Sequence, residues 1–332
     1  MTPDAPPTRL IVRAPGRLHF GLLAWGPDAP RQFGGVGLMI DRPSLEVGFA
    51  GADCWRAEGP LADRALEFAR RVAVGLESRG LAIGSYAIRV RRAPPTHSGF
   101  GSGTSLGLTI ARGLAERAGA GSFGVETLAE LAGRGRRSGI GVHGFARGGL
   151  LVDGGHGPGD ESGAPPPLVA RLEFPAAWKV LIVQPRIPPG RSGDDEREAF
   201  RLLPPIPERV TDRLARLVLL GLLPAVAEAD LPAFGAALGE IQRRVGAAFA
   251  PVQGGRPLAG PESEAAAARM VAEGLAGVGQ SSWGPTLYGF TAEADPARLA
   301  AIRDRVAAAA VGADWAAADN RGHTLAIEEA GR

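Results

Sequence analysis

Apolar residues along the chain recur at two periods, and segments of each period are interleaved through its length. In SYAIRVRR (85–92), Tyr86, Ile88 and Val90 alternate with Arg89 and Arg91, the spacing of a half-buried strand. RLIVRA (9–14) and SLEVGFA (44–50) read as further strands. Between SLEVGFA and SYAIRVRR, Leu61, Ala65, Phe68, Val72 and Leu76 fall on one face of an amphipathic helix. Leu106, Ile110 and Leu114 mark a second helix, a third is expected near 125–133, and GGLLVDGG (148–155) reads as a strand. Beyond it WKVLIVQP (178–185) is predicted as a buried strand, with helices over 194–203, 208–222, 231–248 and 262–275. TLYGFTA (286–292) and HTLAIEE (323–329) look like strands flanking a helix at 296–310. This mixture predicts an α+β protein with sheets covered by helices, not a regular alternation of strands and helices. The loose, Pro/Gly-rich stretch HGPGDESGAPPP (156–167) is the best boundary, giving expected domains of 1–165 and 166–332.

Composition narrows the class. A chain of 332 residues, 45% hydrophobic and 22% charged, has ample material for a buried core. A net charge of only +2 implies no strong field for nucleic acid or membrane. The clusters Arg89/Arg91/Arg92 and Arg134/Arg136/Arg137 read mostly as solvated faces, with local anion sites as the alternative. The single Cys54 excludes an intrachain disulfide and a cysteine zinc cage. MTPDAPPTRL has no basic region leading into an apolar stretch, and the most apolar run, LVLLGLLPAVA (217–227), is too short for a bilayer, so the cytoplasm is expected.

Three segments carry chemistry. PTHSGFGSGTSLGL (95–108) is a glycine-rich loop entering a helix, a pattern whose backbone N–H groups cradle phosphate. Its candidate contacts are Ser98, Gly99, Gly101, Ser102, Gly103, Thr104 and Ser105. It lacks the Gly-Lys-Ser/Thr of a Walker A loop and the later acidic residue of a dinucleotide fold. In RAPGRLHFGLL (13–23), Pro15-Gly16 predicts a turn, after which Arg17 and His19 share one side of an extended segment and Leu18 and Phe20 the other. Arg17 is a candidate clamp for phosphate or carboxylate. GQSSWGPTLYGF (279–290) is a second polar turn that could face the first.

In this order, the three segments resemble the three motifs of the GHMP kinase superfamily. The resemblance spans nearly the whole chain. It implies an N-terminal domain like ribosomal protein S5 domain 2, a C-terminal ferredoxin-like domain, and a site between them. Many such kinases carry S-G-x-D in the stretch aligned with Ser138, Gly139, Ile140 and Gly141, where the aspartate helps activate the acceptor hydroxyl. Glycine stands there instead, which removes the group that phosphoryl transfer to an alcohol would use.

The run SGIGVHGFARGGLLVDGGH, with RLHFGLL, FGGVGLMIDRP (33–43), SGDDEREAF (192–200) and NRG (320–322), resembles the β-ribofuranosylaminobenzene 5′-phosphate synthase family. That resemblance implies condensation of phosphoribosyl pyrophosphate with 4-aminobenzoate, releasing CO2 and pyrophosphate, with Mg2+ assisting, in a cytoplasmic homodimer of tetrahydromethanopterin biosynthesis. The glycine loop would hold the leaving pyrophosphate. Asp41 and Asp153 are the candidate metal ligands, and Asp153 is also a candidate catalytic group; both have turn or capping roles as alternatives. Arg17, His19, His97 or His143 would anchor the aromatic carboxylate, although His143 and His156 also read as core or loop histidines. Arg186 and Arg191 would hold the 5′-phosphate, and Glu196, four residues before Phe200, falls on the expected first turn of a helix, with capping as its alternative role. The rival readings are a small-molecule kinase and a non-catalytic ligand-binding protein of the same fold. The sequence leaves open whether the arene is 4-aminobenzoate or an analogue such as 4-hydroxybenzoate.

Overall fold

The computed structural model describes residues 9–160, 162–187, 193–308 and 310–328. The first half runs β1 (Arg9–Ala24), β2 (Phe33–Gly51), β3 (Arg56–Glu58), α1 (Ala62–Glu77), β4 (Tyr86–Arg92), α2 (Ser102–Arg117), α3 (Val125–Ala132), α4 (Ile140–Arg147), β5 (Leu150–Asp153) and β6 (Leu168–Leu172). The second runs β7 (Lys179–Gln184), α5 (Gly193–Leu202), α6 (Glu208–Leu217), α7 (Leu223–Ala227), α8 (Leu231–Phe249), α9 (Pro261–Ala272), β8 (Ala276–Gln280), β9 (Leu287–Thr291), α10 (Pro296–Ala307), β10 (Gly312–Ala317) and β11 (Thr324–Glu328).

Two sheets form among these residues. The larger has the order β11-β1-β2-β4-β3, with β5 pairing β2 and β6 pairing β5. The smaller is antiparallel in the order β10-β7-β9-β8, the ferredoxin-like arrangement. Both β6 and β11 pair into the first sheet, so the two units do not divide at residue 165: the chain crosses after β6 and returns for its last strand.

Burial explains the pairing. In β7, Val180 and Ile182 enter the core shared by both sheets, while Leu181 and Val183 enter the core under α9 and α10. A strand covered on both faces reads as a continuous apolar run, as WKVLIVQP does. β1 does more than the short strand expected. Pro15-Gly16 makes a bulge, not a turn, and a second irregularity lies between His19 and Gly21, so the strand continues to Ala24. Its first part gives Leu10, Val12 and Ala14 to the core under α1 and α2, and its later part gives Leu18 and Phe20 to the shared core. There Phe20 meets Tyr288 at 5.1 Å and Phe290 at 6.1 Å between ring centroids, clamping the two sheets together. Gly21, at φ +139°, lies so close to α8 that a Cβ would stand 2.6 Å from Val245. The seam between the sheets is thereby fixed, and the cleft opens along it.

Candidate active site

The three polar segments meet at that seam. Ser281 Oγ donates to the Gly99 carbonyl at 2.7 Å and accepts from the His19 N–H at 3.0 Å. The Ser282 N–H donates to the His19 carbonyl at 3.2 Å, and the Arg17 N–H to the Phe100 carbonyl at 3.1 Å. Gly284 packs so tightly that a Cβ would stand 2.1 Å from the Gly99 nitrogen. One residue from each segment therefore touches the other two.

The glycine loop has the backbone of an anion cradle. His97, Gly99 and Gly101 take positive φ while Ser98 and Phe100 between them do not, a pattern that turns successive N–H groups inward. α2 then begins at Ser102. The Thr104 and Ser105 N–H groups bond the Gly101 carbonyl, while those of Ser102 and Gly103 have no helical acceptor, and these two residues line the cleft. Ser98 instead turns its hydroxyl to the Thr96 carbonyl.

The cleft encloses about 950 Å³, the size of a site for a substantial small molecule. Its N-terminal wall carries Arg17, Arg64, Arg71, Arg134, Arg136 and Arg137, and no carboxylate appears among the described lining residues. A Cβ on Gly101 would stand 3.1 Å from Arg17 Nε, and one on Gly103 would stand 2.9 Å from Arg64 Nη2 and 3.6 Å from Arg134 Nη2. The guanidiniums thus flank the start of α2 on both sides. Burial first, then the charges of Arg64 and Arg71, hold Arg134 below its ordinary pKa. Clustered guanidiniums repel one another, as the lowering of Arg134 by Arg64 and Arg71 shows, and a bound polyanion relieves that cost. The opposite wall, from the C-terminal unit, holds Phe200, Phe249 and Trp283 beside Gln242, Gln253 and Gln280, with no charged residue among those described. Gln280 is fixed by Ala259, Gln253 and Ser282, and Gln242 donates to the Phe20 carbonyl.

Arg17 and His19 reach the cleft as expected. The His19 ring, however, is engaged at both nitrogens. The Gly21 N–H donates to Nδ1 at 3.2 Å, so Nε2 carries the proton and donates to Ser138 Oγ at 3.1 Å. Ser138 donates in turn to Asp153 Oδ2 at 3.0 Å. Burial first, then the Arg17 charge, keeps His19 far below its usual pKa, so a charged carboxylate anchor is not what this ring supplies. Gly35 permits the chain: a Cβ there would stand 3.0 Å from His19 Nε2 and 3.1 Å from Asp153 Oδ2.

Asp153 is buried and does not line the cleft. It accepts from the Gly139 and Gly155 N–H groups as well as from Ser138. Burial raises its pKa, while those three hydrogen bonds and the nearby His143 oppose the shift. It acts on the site through Ser138. Asp41 is not brought to the cleft either; its Oδ1 accepts from the Ala317 N–H at 2.9 Å and its Oδ2 lies 3.5 Å from Arg42. The two carboxylates expected to hold Mg2+ therefore do not fit that role, and no group of three metal-ligating side chains occurs among the described residues. His143 lies away from the cleft and bonds the Pro166 carbonyl at 2.7 Å, tying α4 to the chain entering β6. His156 pairs with Asp160. His97 lines the cleft, whereas Arg186 is exposed outside it. Arg191 and the Glu196 side chain lie outside the described residues.

The residues that sequence reasoning missed are Arg64 and Arg71, on the polar face of α1, Ser281, and the aromatic and glutamine residues of the second wall. Arg64 and Arg71 look like any solvated helix face until α1 is laid beside α2.

Comparison with known proteins agrees with this arrangement. Residues 222–312 match the family described as GHMP kinases C terminal. Homoserine kinase from Cytophaga hutchinsonii shares the fold at a TM-score of 0.68 and 16% identity, over 96% of this chain and 97% of that one. Mevalonate diphosphate decarboxylase from Enterococcus faecalis does so at 0.63 and 16%, over 97% and 99%. The fold is thus that of the GHMP kinases. Two relatives named beta-ribofuranosylphenol 5′-phosphate synthase are closer in sequence. The one from Methanothermobacter thermautotrophicus is 36% identical over 86% of this chain and 89% of its own length. The one from Archaeoglobus fulgidus is 34% identical over 85% and 88%. The chain belongs to the beta-ribofuranosylphenol 5′-phosphate synthase family, a family of enzymes.

Proposed function

We propose that the protein is a decarboxylating pentosyl transferase that joins phosphoribosyl pyrophosphate to a para-substituted benzoate. The observation that carries this reading is the arginine wall gathered around the N–H groups at the start of α2, with Gly141 beside it. A Cβ on Gly141 would lie 3.2 Å from Thr104 Cγ2, so an aspartate there would stand next to the loop. Glycine provides no carboxylate there to activate an alcohol. The loop and guanidiniums then stabilise charge developing on a departing pyrophosphate.

The chemistry balances without an external proton or oxidant. The electron pair of the ring carbon bearing the carboxylate forms the bond to ribose C1 as the C1–O bond breaks, its pair leaving with pyrophosphate. The C–CO2 bond then breaks, its pair restores the aromatic ring, and CO2 departs. The para substituent stabilises the intermediate by donating its lone pair. 4-Hydroxybenzoate is the acceptor best supported, because the product named for the relatives is a phenol; 4-aminobenzoate, expected from the sequence, is the other para donor. A homodimer and a cytoplasmic setting belong to this reading, and sedimentation of the purified chain checks the first.

The test incubates the protein with phosphoribosyl pyrophosphate, supplied as its Mg2+ salt, and each benzoate in turn. Equal release of pyrophosphate and CO2 supports the reading. ATP consumption with an alcohol acceptor, and no release of either product, overturns it.

A further inference from the structure

The second wall contains an arrangement the polyanion does not use. The rings of Phe200, Phe249 and Trp283 come from α5, α8 and the β8–β9 turn and meet as three nearly perpendicular planes. Trp283 lies at 86° to Phe200 and 88° to Phe249, with centroids 5.2 and 4.7 Å away, and the two phenylalanines lie at 78° and 6.1 Å. All three line the cleft and none is fully buried. Trp25 backs Phe249 at 5.0 Å, so the corner rests on packed core. A flat ring entering the cleft beside them would stack on one exposed face and meet a neighbouring ring edge-on, the geometries aromatic pairs favour. The Arg137 guanidinium stands 5.1 Å above the Phe200 ring, at the border of the two walls. Trp283 adjoins Gly284, which touches the backbone of Ser98 and Gly99. The corner is therefore next to the anion loop.

Resting on the proposed function, we infer that the Phe200–Phe249–Trp283 corner is the acceptor subsite, taking a monocyclic benzoate with its carboxylate turned toward Arg137. The C-terminal unit then selects the acceptor while the N-terminal unit holds the donor. Apolar walls suit an acceptor whose carboxylate must become neutral CO2, since a site that ringed it with charges would stabilise the ground state and slow its loss. A non-aromatic carboxylate of similar size gains nothing from the rings, so the corner discriminates by flatness.

Titration of the intact protein with 4-hydroxybenzoate, without donor, reads the subsite directly. Of the five tryptophans, Trp283 alone lines the cleft among the described residues, so binding should change its fluorescence, and Trp283→Phe should remove that change. Phe249→Leu should raise the benzoate Kd by about ten-fold while leaving pyrophosphate binding, measured by calorimetry, within error; its lost contacts with Trp25 and Trp283 should lower the thermal midpoint by a few degrees without unfolding the chain at the temperature of the titration. Cyclohexanecarboxylate should bind wild type at least about ten-fold more weakly than the benzoate. Unchanged benzoate affinity in both variants, or equal affinity for the two acids, overturns the assignment. The direct titration needs no turnover, so failure of the transferase assay sinks the proposed reaction without deciding the subsite.

Discussion

The two walls of the cleft differ in charge, in origin along the chain and in what they demand of a ligand. The N-terminal wall brings six arginines to the cleft, from β1, α1 and the loop between α3 and α4, three of them (Arg17, Arg64 and Arg134) beside the start of α2, with no carboxylate among its described residues. The C-terminal wall sets three rings and three glutamines opposite, without a described charge. In the first wall burial, then the charges of Arg64 and Arg71, lower the pKa of Arg134; the glutamines of the second are held by hydrogen bonds to neighbouring backbone and side chains. Such a division suits a reaction between a highly charged donor and a flat, weakly charged acceptor. No carboxylate among the described lining residues stands ready to act as a base toward an alcohol.

The comparison breaks most easily at Arg17. Arg17→Gln should lower kcat/KM for the phosphoribosyl donor by about a hundred-fold, the cost of losing charge-assisted hydrogen bonds, and leave benzoate titration unchanged. Equal loss on both ligands would show that the walls are not separable. Next comes the seam itself. Gly99 sits at φ +94°, and a Cβ would stand 2.3 Å from the Ser281 carbonyl oxygen, so Gly99→Ala should cost about 2–3 kcal/mol in denaturant unfolding. Gly141→Asp sharpens the charge argument: about ten-fold weaker pyrophosphate binding is expected, with no ATP-dependent phosphorylation gained. Ser138→Ala should destabilise by about 1–2 kcal/mol, because it strands the His19 donor and one acceptor site on Asp153.

The smallest effect is one of pH. His19 and His323 are both held below their ordinary value of 6.5 by burial, so the folded chain resists protons that the unfolded chain accepts. Their contribution to stability is complete above about pH 6.5 and is lost as the pH falls below it. Burial raises the Asp153 pKa, so its contribution runs the other way, being present at low pH and lost as the carboxyl ionises. Thermal midpoints from pH 8 to pH 5 should therefore decline, and His19→Gln should flatten part of that slope.

Much of the fold was legible because it is written locally. The alternation in SYAIRVRR became β4, the apolar run of WKVLIVQP became β7, and the helical face from Leu61 to Leu76 became α1. β6 and β10 escaped notice because they are short, and few of their residues are fully buried. The length of β1 escaped because Pro15-Gly16 signals a turn locally, whereas pairing across to Ile40 turns it into a bulge. For the site, the glycine loop, Arg17 and His19 were readable from residue type and spacing. The exclusion of Asp41 and His143 was not, since each carries a plausible ligand and finds its partner only in the folded chain, at Ala317 and Pro166.

The sequence by itself determined many of the strands and helices, that a glycine-rich loop enters α2, and that a glycine stands at 141. These follow from periodicity and from backbone freedom, which act over a few residues. The tertiary structure alone decided what the cradle faces. Contacts such as Ser281 with Gly99, 182 residues apart, and His19 with Ser138, 119 apart, bring its parts together. Packing of two sheets on one core then made Arg64 and Arg71 part of an arginine-lined wall and Phe249 and Trp283 part of the opposite one. No local pattern distinguishes a solvated arginine from one lining a cleft; only the element laid against it does.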